Sequence, residues 1–163
     1  MFKPDFILNT VTDISVEFLN KNDITALLLD VDNTLSVAHA DKTLRKGVQS
    51  WIDDMKEYGI ELLILSNAKT RRAQRFAQSV GLPVIGLAAK PLPFGYLKAS
   101  KFLGKKRKNT AMVGDQVFTD VLGGNLAGIK TVLVTDITPE NKTGFKIKRY
   151  FERILLKRWR NER

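Results

Sequence analysis

Five short apolar runs punctuate the chain: Ile24–Leu29, Ile60–Leu65, Pro83–Ala88, Thr110–Val113 and Thr131–Val134. Each is rich in aliphatic residues and stops at a polar or small one, as strands buried on both faces of a parallel sheet do. Between them lie mixed segments of helical character: Thr43–Tyr58, Thr70–Val80, Pro93–Leu103 and Phe118–Ala127. Gly59, Gly81, Gly104 and Gly128 follow these segments, where a helix end favours a residue that tolerates left-handed backbone. Trp51 and Tyr58, seven apart, predict a packed stripe on the first helix. The alternation predicts an α/β fold, a doubly wound and mainly parallel five-stranded sheet with helices on both faces. No internal repeat or linker interrupts it, so one domain over 1–163 is expected.

In open α/β sheets the ligand crevice lies beyond the carboxyl ends of the strands. Asp30, Val31, Asp32, Asn33 and Thr34 follow the first run, and Ser66 and Asn67 the second. Lys90 and Pro91 lie beyond the third. Gly114 and Asp115 follow the fourth, with Asp120 five residues later. Carboxylates, a hydroxyl and a lysine therefore converge on one edge of the expected sheet.

Asp30 and Asp32 stand close enough to repel unless a cation or hydrogen bonds compensate. With Asp115 they make an oxygen-rich set suited to Mg²⁺. Ser66 and Lys90 supply a hydroxyl and a positive charge that would bind phosphate oxygens. Together these are the parts phosphoryl transfer needs: positioning, charge neutralisation, a nucleophile and an acid/base. The other readings of these residues are helix capping for Asp30 and Asp120, turn roles for Ser66 and Asn67, and solvation for Lys90. A signalling receiver module would place an acceptor Asp after the third run, where AAK stands instead.

The sequence resembles the haloacid dehalogenase (HAD) superfamily. DVDNT at 30–34 is similar to its first motif, D-x-D-x-T, and Ser66 in LILSN to the second. Lys90 in AAKP is similar to the third, and GDQVFTD at 114–120 to the fourth. The resemblance spans residues 24 to about 135 and implies a HAD-like Rossmann-type fold. It implies Asp30 as nucleophile, forming an aspartyl-phosphate, and Asp32 as general acid/base. It implies Mg²⁺ on Asp30, Asp115 and the backbone carbonyl of Asp32, with Asp120 and Thr34 in support. Ser66, Asn67 and Lys90 would hold the phosphoryl group.

Only 33 residues separate Asp32 from Ser66, and 23 separate Ser66 from Lys90. Each interval has room for a helix and a strand but for no inserted cap domain, so the site is expected to be open to large substrates.

Composition removes several alternatives. The chain has no cysteine, which excludes disulfides, thiol catalysis and iron–sulfur sites. Its single histidine, His39, is expected to be a loop residue without a chemical role. No run approaches the ~20 apolar residues that span a bilayer, and no signal peptide is evident. A cytoplasmic protein is expected, with peripheral attachment at the inner face of the membrane in view.

The net charge of +10 is uneven: residues 96–109 carry +6, including KKRK at 105–108, and residues 141–163 carry +7. Such segments attract nucleic acid or anionic membranes, or serve only to keep the chain soluble. Residues 144–160 pattern as an amphipathic helix. Ile147, Tyr150, Phe151, Ile154, Leu155 and Trp159 lie along one face, with basic residues on another. Two roles fit it, membrane contact or packing of the apolar face on the sheet.

Small size, the DVDNT and AAKP forms and the basic C-terminal helix resemble the capless, subfamily IIIA, YqeG-type phosphatases. That group is similar to the mitochondrial phosphatidylglycerophosphate phosphatases. The implied substrate is a phosphomonoester on an anionic lipid. A nucleic-acid end, a phosphoprotein or a small soluble phosphomonoester is the alternative. Oligomeric state is not readable.

Overall fold

The computed structural model of the chain describes residues 1–37 and 43–136, together with residues 157 and 159. His39 and the expected helix 144–160, apart from Lys157 and Trp159, lie outside the described residues.

Among the described residues six strands form one sheet: β1 Phe6–Leu8, β2 Ala26–Leu29, β3 Glu61–Leu65, β4 Val84–Ile85, β5 Thr110–Gly114 and β6 Lys130–Val134. Their order is β1-β6-β5-β2-β3-β4 and every pairing is parallel. From β2 the chain winds outward through β3 and β4, then crosses back to β5 and β6. The direction reverses between β2 and β5, and a crevice opens there at the carboxyl edge.

The fold is α/β as expected, with one more strand than the five runs predicted. The extra strand is β1, an edge strand of three half-buried residues paired with β6 from Phe6↔Val132 to Leu8↔Val134. Asp5 secures it, its carboxylate accepting the Thr131 N–H at 2.8 Å. The Pro83–Ala88 run contributes only Val84 and Ile85 as strand.

Alternate residues of the central strands face opposite sides, as the two-residue period requires. Leu27, Leu29, Ile64 and Val113 pack with Trp51, Ile52, Phe76 and Ala77 of α2 (Val48–Glu57) and α3 (Thr70–Val80). Leu28, Leu63, Leu65 and Met112 face the other way. They meet Tyr96 and Ala99 of α4 (Pro93–Phe102) and Ala127 of α5 (Leu122–Ala127). Burial of each such side chain contributes about 1.5–3 kcal/mol, and both faces together hold the strand ends in place. A short helix, α1 (Val16–Lys21), precedes β2 and is capped by the Ser15 hydroxyl, which accepts the Phe18 N–H at 3.0 Å.

The first long helix starts at Val48 rather than near Thr43, because Gly47 adopts φ +81°, outside the helical region. Trp51 is buried and donates its indole N–H to the Ile14 carbonyl at 2.8 Å. Tyr58 follows the last residue of the helix and is exposed, so the expected stripe ends before it.

Among the described residues, the two intervals where a cap would be inserted hold α2 with β3 and α3 with β4, and no cap domain stands at the site edge. At the far end of the chain, Trp159 is buried against Val117, Val121 and Leu133, beside Ile7.

Candidate active site

The loop after β2 is wound tightly. The Val31 carbonyl accepts the N–H groups of Thr34, Leu35 and Ser36 at 2.9–3.3 Å, and Asn33 takes φ +60°. Asp30 therefore stays at the strand end, its N–H tied to the Val113 carbonyl of β5 at 2.9 Å. Asp32, one pleat further on, projects from the edge. Thr34 is fully buried beneath them.

Three carboxylates meet in the crevice. Oxygens of Asp30, Asp115 and Asp120 all lie within 4.8 Å of one another, and all three residues are buried. Lys90 Nζ donates to Asp30 Oδ1 at 2.6 Å and to Asp120 Oδ1 at 2.7 Å. Burial alone would lower the lysine's pKa. The carboxylates of Asp120 and Asp30 outweigh that and hold it protonated, well above its ordinary range. Burial, reinforced by Asp30 and opposed by Lys90, pushes Asp120 up to about 6.

The position of Asp120 depends on an irregular turn. Residues Val117–Val121 form a single π-helical turn ahead of α5. Within it the Asp120 carboxylate accepts the Gln116 N–H at 3.1 Å and lies against Gly114. A Cβ at 114 would stand 2.2 Å from Asp120 Oδ2, so this approach requires glycine. Tyr96 supports the same turn: its hydroxyl donates to the Thr119 carbonyl at 2.8 Å and is pushed to a higher pKa by burial and next by Asp120.

Ser66 directly follows β3, and its hydroxyl accepts the Ala68 N–H at 3.1 Å. Asn67, expected beside phosphate, spends its side-chain amide on Lys90. It accepts the Lys90 N–H at 2.7 Å and donates to the Lys90 carbonyl at 3.0 Å. The Asp32 carboxylate lies outside the buried cluster and forms an ion pair with Arg72 at 3.6 Å. The buried acidic set is Asp30, Asp115 and Asp120, while the metal contact expected of Asp32 runs through its backbone carbonyl rather than this carboxylate.

Several contributors escaped the sequence reading. Asn33 Nδ2 donates to Asp115 Oδ2 at 3.2 Å, linking the β2 and β5 loops. Its place inside DVDNT was the available signal. Arg45 donates to the Asn33 carbonyl at 3.2 Å and pairs with Asp136, clipping the β2 loop to the end of β6. Arg45 and Arg72 lie in mixed, charged segments where nothing local sets them apart.

The donor set fits a hard divalent cation. Three buried carboxylates face one lysine, which leaves excess negative charge that oxygen-preferring ions neutralise.

Residues 1–138 match the family described as mitochondrial PGP phosphatase. The chain belongs to that family. It is 32% identical over 155 residues to a probable phosphatase, YqeG, of Bacillus subtilis (strain 168), across 95% of this chain and 90% of the relative. It is 29% identical over 147 residues to the mitochondrial phosphatidylglycerophosphatase GEP4 of Saccharomyces cerevisiae, across 82% of this chain and 78% of the relative. In fold it resembles the crystal structure of a 4-nitrophenylphosphatase from Thermotoga maritima. That match has a TM-score of 0.62 at 14% identity and covers 74% of this chain and 89% of that one. The chain is a phosphatase of the YqeG type, and its fold is that of a solved HAD family hydrolase from Streptomyces avermitilis, at a TM-score of 0.58 and 22% identity. Among the described residues no helix is long and apolar enough to cross a membrane.

Proposed function

We propose that this phosphatase hydrolyses phosphatidylglycerophosphate through a phosphorylated Asp30. The supporting observation is Lys90, which holds Asp30 at 2.6 Å in a buried cluster completed by Asp115 and Asp120, at a sheet edge without a cap. The lipid substrate rests on the family match and on the phosphatidylglycerophosphatases among the relatives.

In this reading an Asp30 oxygen attacks phosphorus, and the bond to the lipid alcohol breaks. Asp32 gives that alcohol its proton, then takes one from the water that hydrolyses the aspartyl-phosphate and returns Asp30. The partly exposed Asp32 carboxylate, paired with Arg72, is suited to such exchange. Lys90 and Ser66 hold the phosphoryl oxygens, while Asn67 fixes the Lys90 main chain. Asp30, Asp115 and Asp120 would hold Mg²⁺, which when bound neutralises charge on the transferring phosphoryl group. Residues 1–163 act as one phosphatase unit, a view supported by the burial of Trp159 against Val117, Val121 and Leu133.

The nucleic-acid alternative draws on KKRK. Lys106, Arg107 and Lys108 precede β5 at the amino edge, opposite the site, where they and Gly128 line a cavity of about 390 Å³. That placement puts the basic edge at the opposite end of β5 from the site.

The test is phosphate release with Mg²⁺ from phosphatidylglycerophosphate in vesicles, a soluble phosphomonoester and a 5′-phosphorylated oligonucleotide, each with D30N as control. Selective turnover of the lipid, lost in D30N, is expected. Turnover of the oligonucleotide alone would overturn the lipid assignment.

A further inference from the structure

Between Glu61 and Asp115 the chain has no acidic residue, while 11 lysines and arginines fall in the same stretch. That stretch builds β3, α3, β4, α4 and β5; four of its cations, Lys105–Lys108, precede β5 at the amino edge, and the other seven fall between Lys69 and Lys101. Its charge alone exceeds the net +10 of the whole chain.

The same stretch carries unusual apolar exposure. Of the ten large apolar side chains exposed among the described residues, five lie between 87 and 102. Leu87 is 63% exposed, Leu92 52% and Phe94 72%. These three sit at the mouth of the site. The Leu87 N–H donates to the Ala68 carbonyl at 3.0 Å, two residues from Ser66. Leu92 closes the turn that carries Lys90, its N–H bonded to the Ala89 carbonyl at 2.9 Å. Phe94 begins α4, and Leu97 extends its stripe one turn along the outer face.

Basic residues flank this strip. Lys98 and Lys101 share the exposed face of α4, while Gly95, Tyr96 and Ala99 are buried. Lys69 and Arg71 are exposed on the neighbouring loop and helix start, which the Gly86 backbone approaches closely at Thr70. Aliphatic and aromatic side chains projecting among lysines and arginines match a bilayer interface, where apolar tips enter the acyl boundary and cations meet lipid phosphates. A nucleic acid would use the cations and leave Leu87 and Leu92 in water.

We infer that the mouth of the site, Leu87, Leu92, Phe94 and Leu97 with Lys69 and Lys98, is a docking surface for an anionic lipid bilayer. The inference rests on the lipid-phosphatase reading and assigns it a face. Docked this way, the crevice opens onto the head-group layer, and the Lys106–Lys108 edge points away from the membrane.

The experiment uses the full chain with vesicles of phosphatidylglycerol and phosphatidylcholine, and with phosphatidylcholine alone. Co-sedimentation is measured for wild type, F94S/L97S and K106A/K108A, and hydrolysis of p-nitrophenyl phosphate is followed in parallel. F94S/L97S is expected to bind anionic vesicles at least about tenfold more weakly while keeping soluble turnover, and K106A/K108A to bind nearly as wild type. F94W is expected to shift its emission to the blue with anionic vesicles. Undiminished binding by F94S/L97S, loss confined to K106A/K108A, or no shift in F94W would overturn the assignment. Failure of the lipid-phosphatase reading is separate. It would show as wild type that docks on vesicles yet releases no phosphate from phosphatidylglycerophosphate.

Discussion

Asn67 grips the main chain of Lys90 from both sides, its carbonyl oxygen accepting the Lys90 N–H at 2.7 Å and its amide donating to the Lys90 carbonyl at 3.0 Å. Through this pair the loop after β3 sets the height at which Lys90 Nζ meets Asp30 and Asp120. N67A removes both bonds, worth about 1–2 kcal/mol together. Turnover should fall about tenfold, with KM for a soluble phosphomonoester changed less than kcat. N67D keeps the acceptor for the Lys90 N–H and should recover part of the loss. Steady-state kinetics on the three proteins checks this, and equal kcat in all of them would refute it.

Lys90 supplies the only ammonium seen against Asp30 and Asp120 among the described residues. K90M leaves these buried carboxylates facing one another without compensation. Breaking a buried pair of this kind costs about 3–5 kcal/mol. Loss of a preorganised phosphoryl contact should lower kcat by roughly 10²–10³-fold. Chemical denaturation and initial rates measure the two effects separately.

Gly114 faces the Asp120 carboxylate so closely that a methyl group there would stand 2.2 Å from Oδ2. G114A should push Asp120 away from Lys90, destabilise the protein by about 1–3 kcal/mol and weaken metal-dependent turnover. G123A offers a comparison, since its Cβ would strike the ring and hydroxyl of Tyr96 instead, at 2.3 Å from the oxygen. A G114A protein with wild-type stability and rate would contradict the close packing.

Asp120 gives the metal-free protein a definite pH response. Its carboxyl is raised from 3.8 to about 6, chiefly by burial, so the folded state holds the proton more tightly than the unfolded state. The stability this provides is complete below pH ~4 and is lost as pH rises through about 6. A divalent cation needs these carboxylates ionised, so Mg²⁺ should raise Tm more at pH 7.5 than at pH 5. At a hundredfold excess over Kd the rise should be roughly 5–10 °C, and D115N should abolish it. An equal shift at both pH values would count against a carboxylate site.

The central strands and their terminal residues were legible because burial on both faces leaves unbroken aliphatic runs ending in DVDNT, SN and GD. β1 was not, since three half-buried edge residues leave no such run. Asp120 could be suspected but not placed, because its orientation comes from the π-helical turn Val117–Val121, whose extra residue breaks the ordinary helical spacing. The bonding of the Asn67 side chain to Lys90 was hidden for another reason. A polar residue at a strand end looks the same whether its amide faces ligand or a neighbouring main chain.

Covalent capture at Asp30 tests the account most directly. Enzyme turning over a phosphomonoester with Mg²⁺ is quenched and treated with borohydride, which reduces an aspartyl-phosphate to homoserine, and the peptides are sequenced by mass spectrometry. Homoserine at position 30 is predicted, accumulating further in D32N, where loss of the general base slows hydrolysis of the intermediate. Steady turnover with position 30 unmodified, or with the modification at another carboxylate, would contradict the assignment of Asp30 as the phosphoryl acceptor.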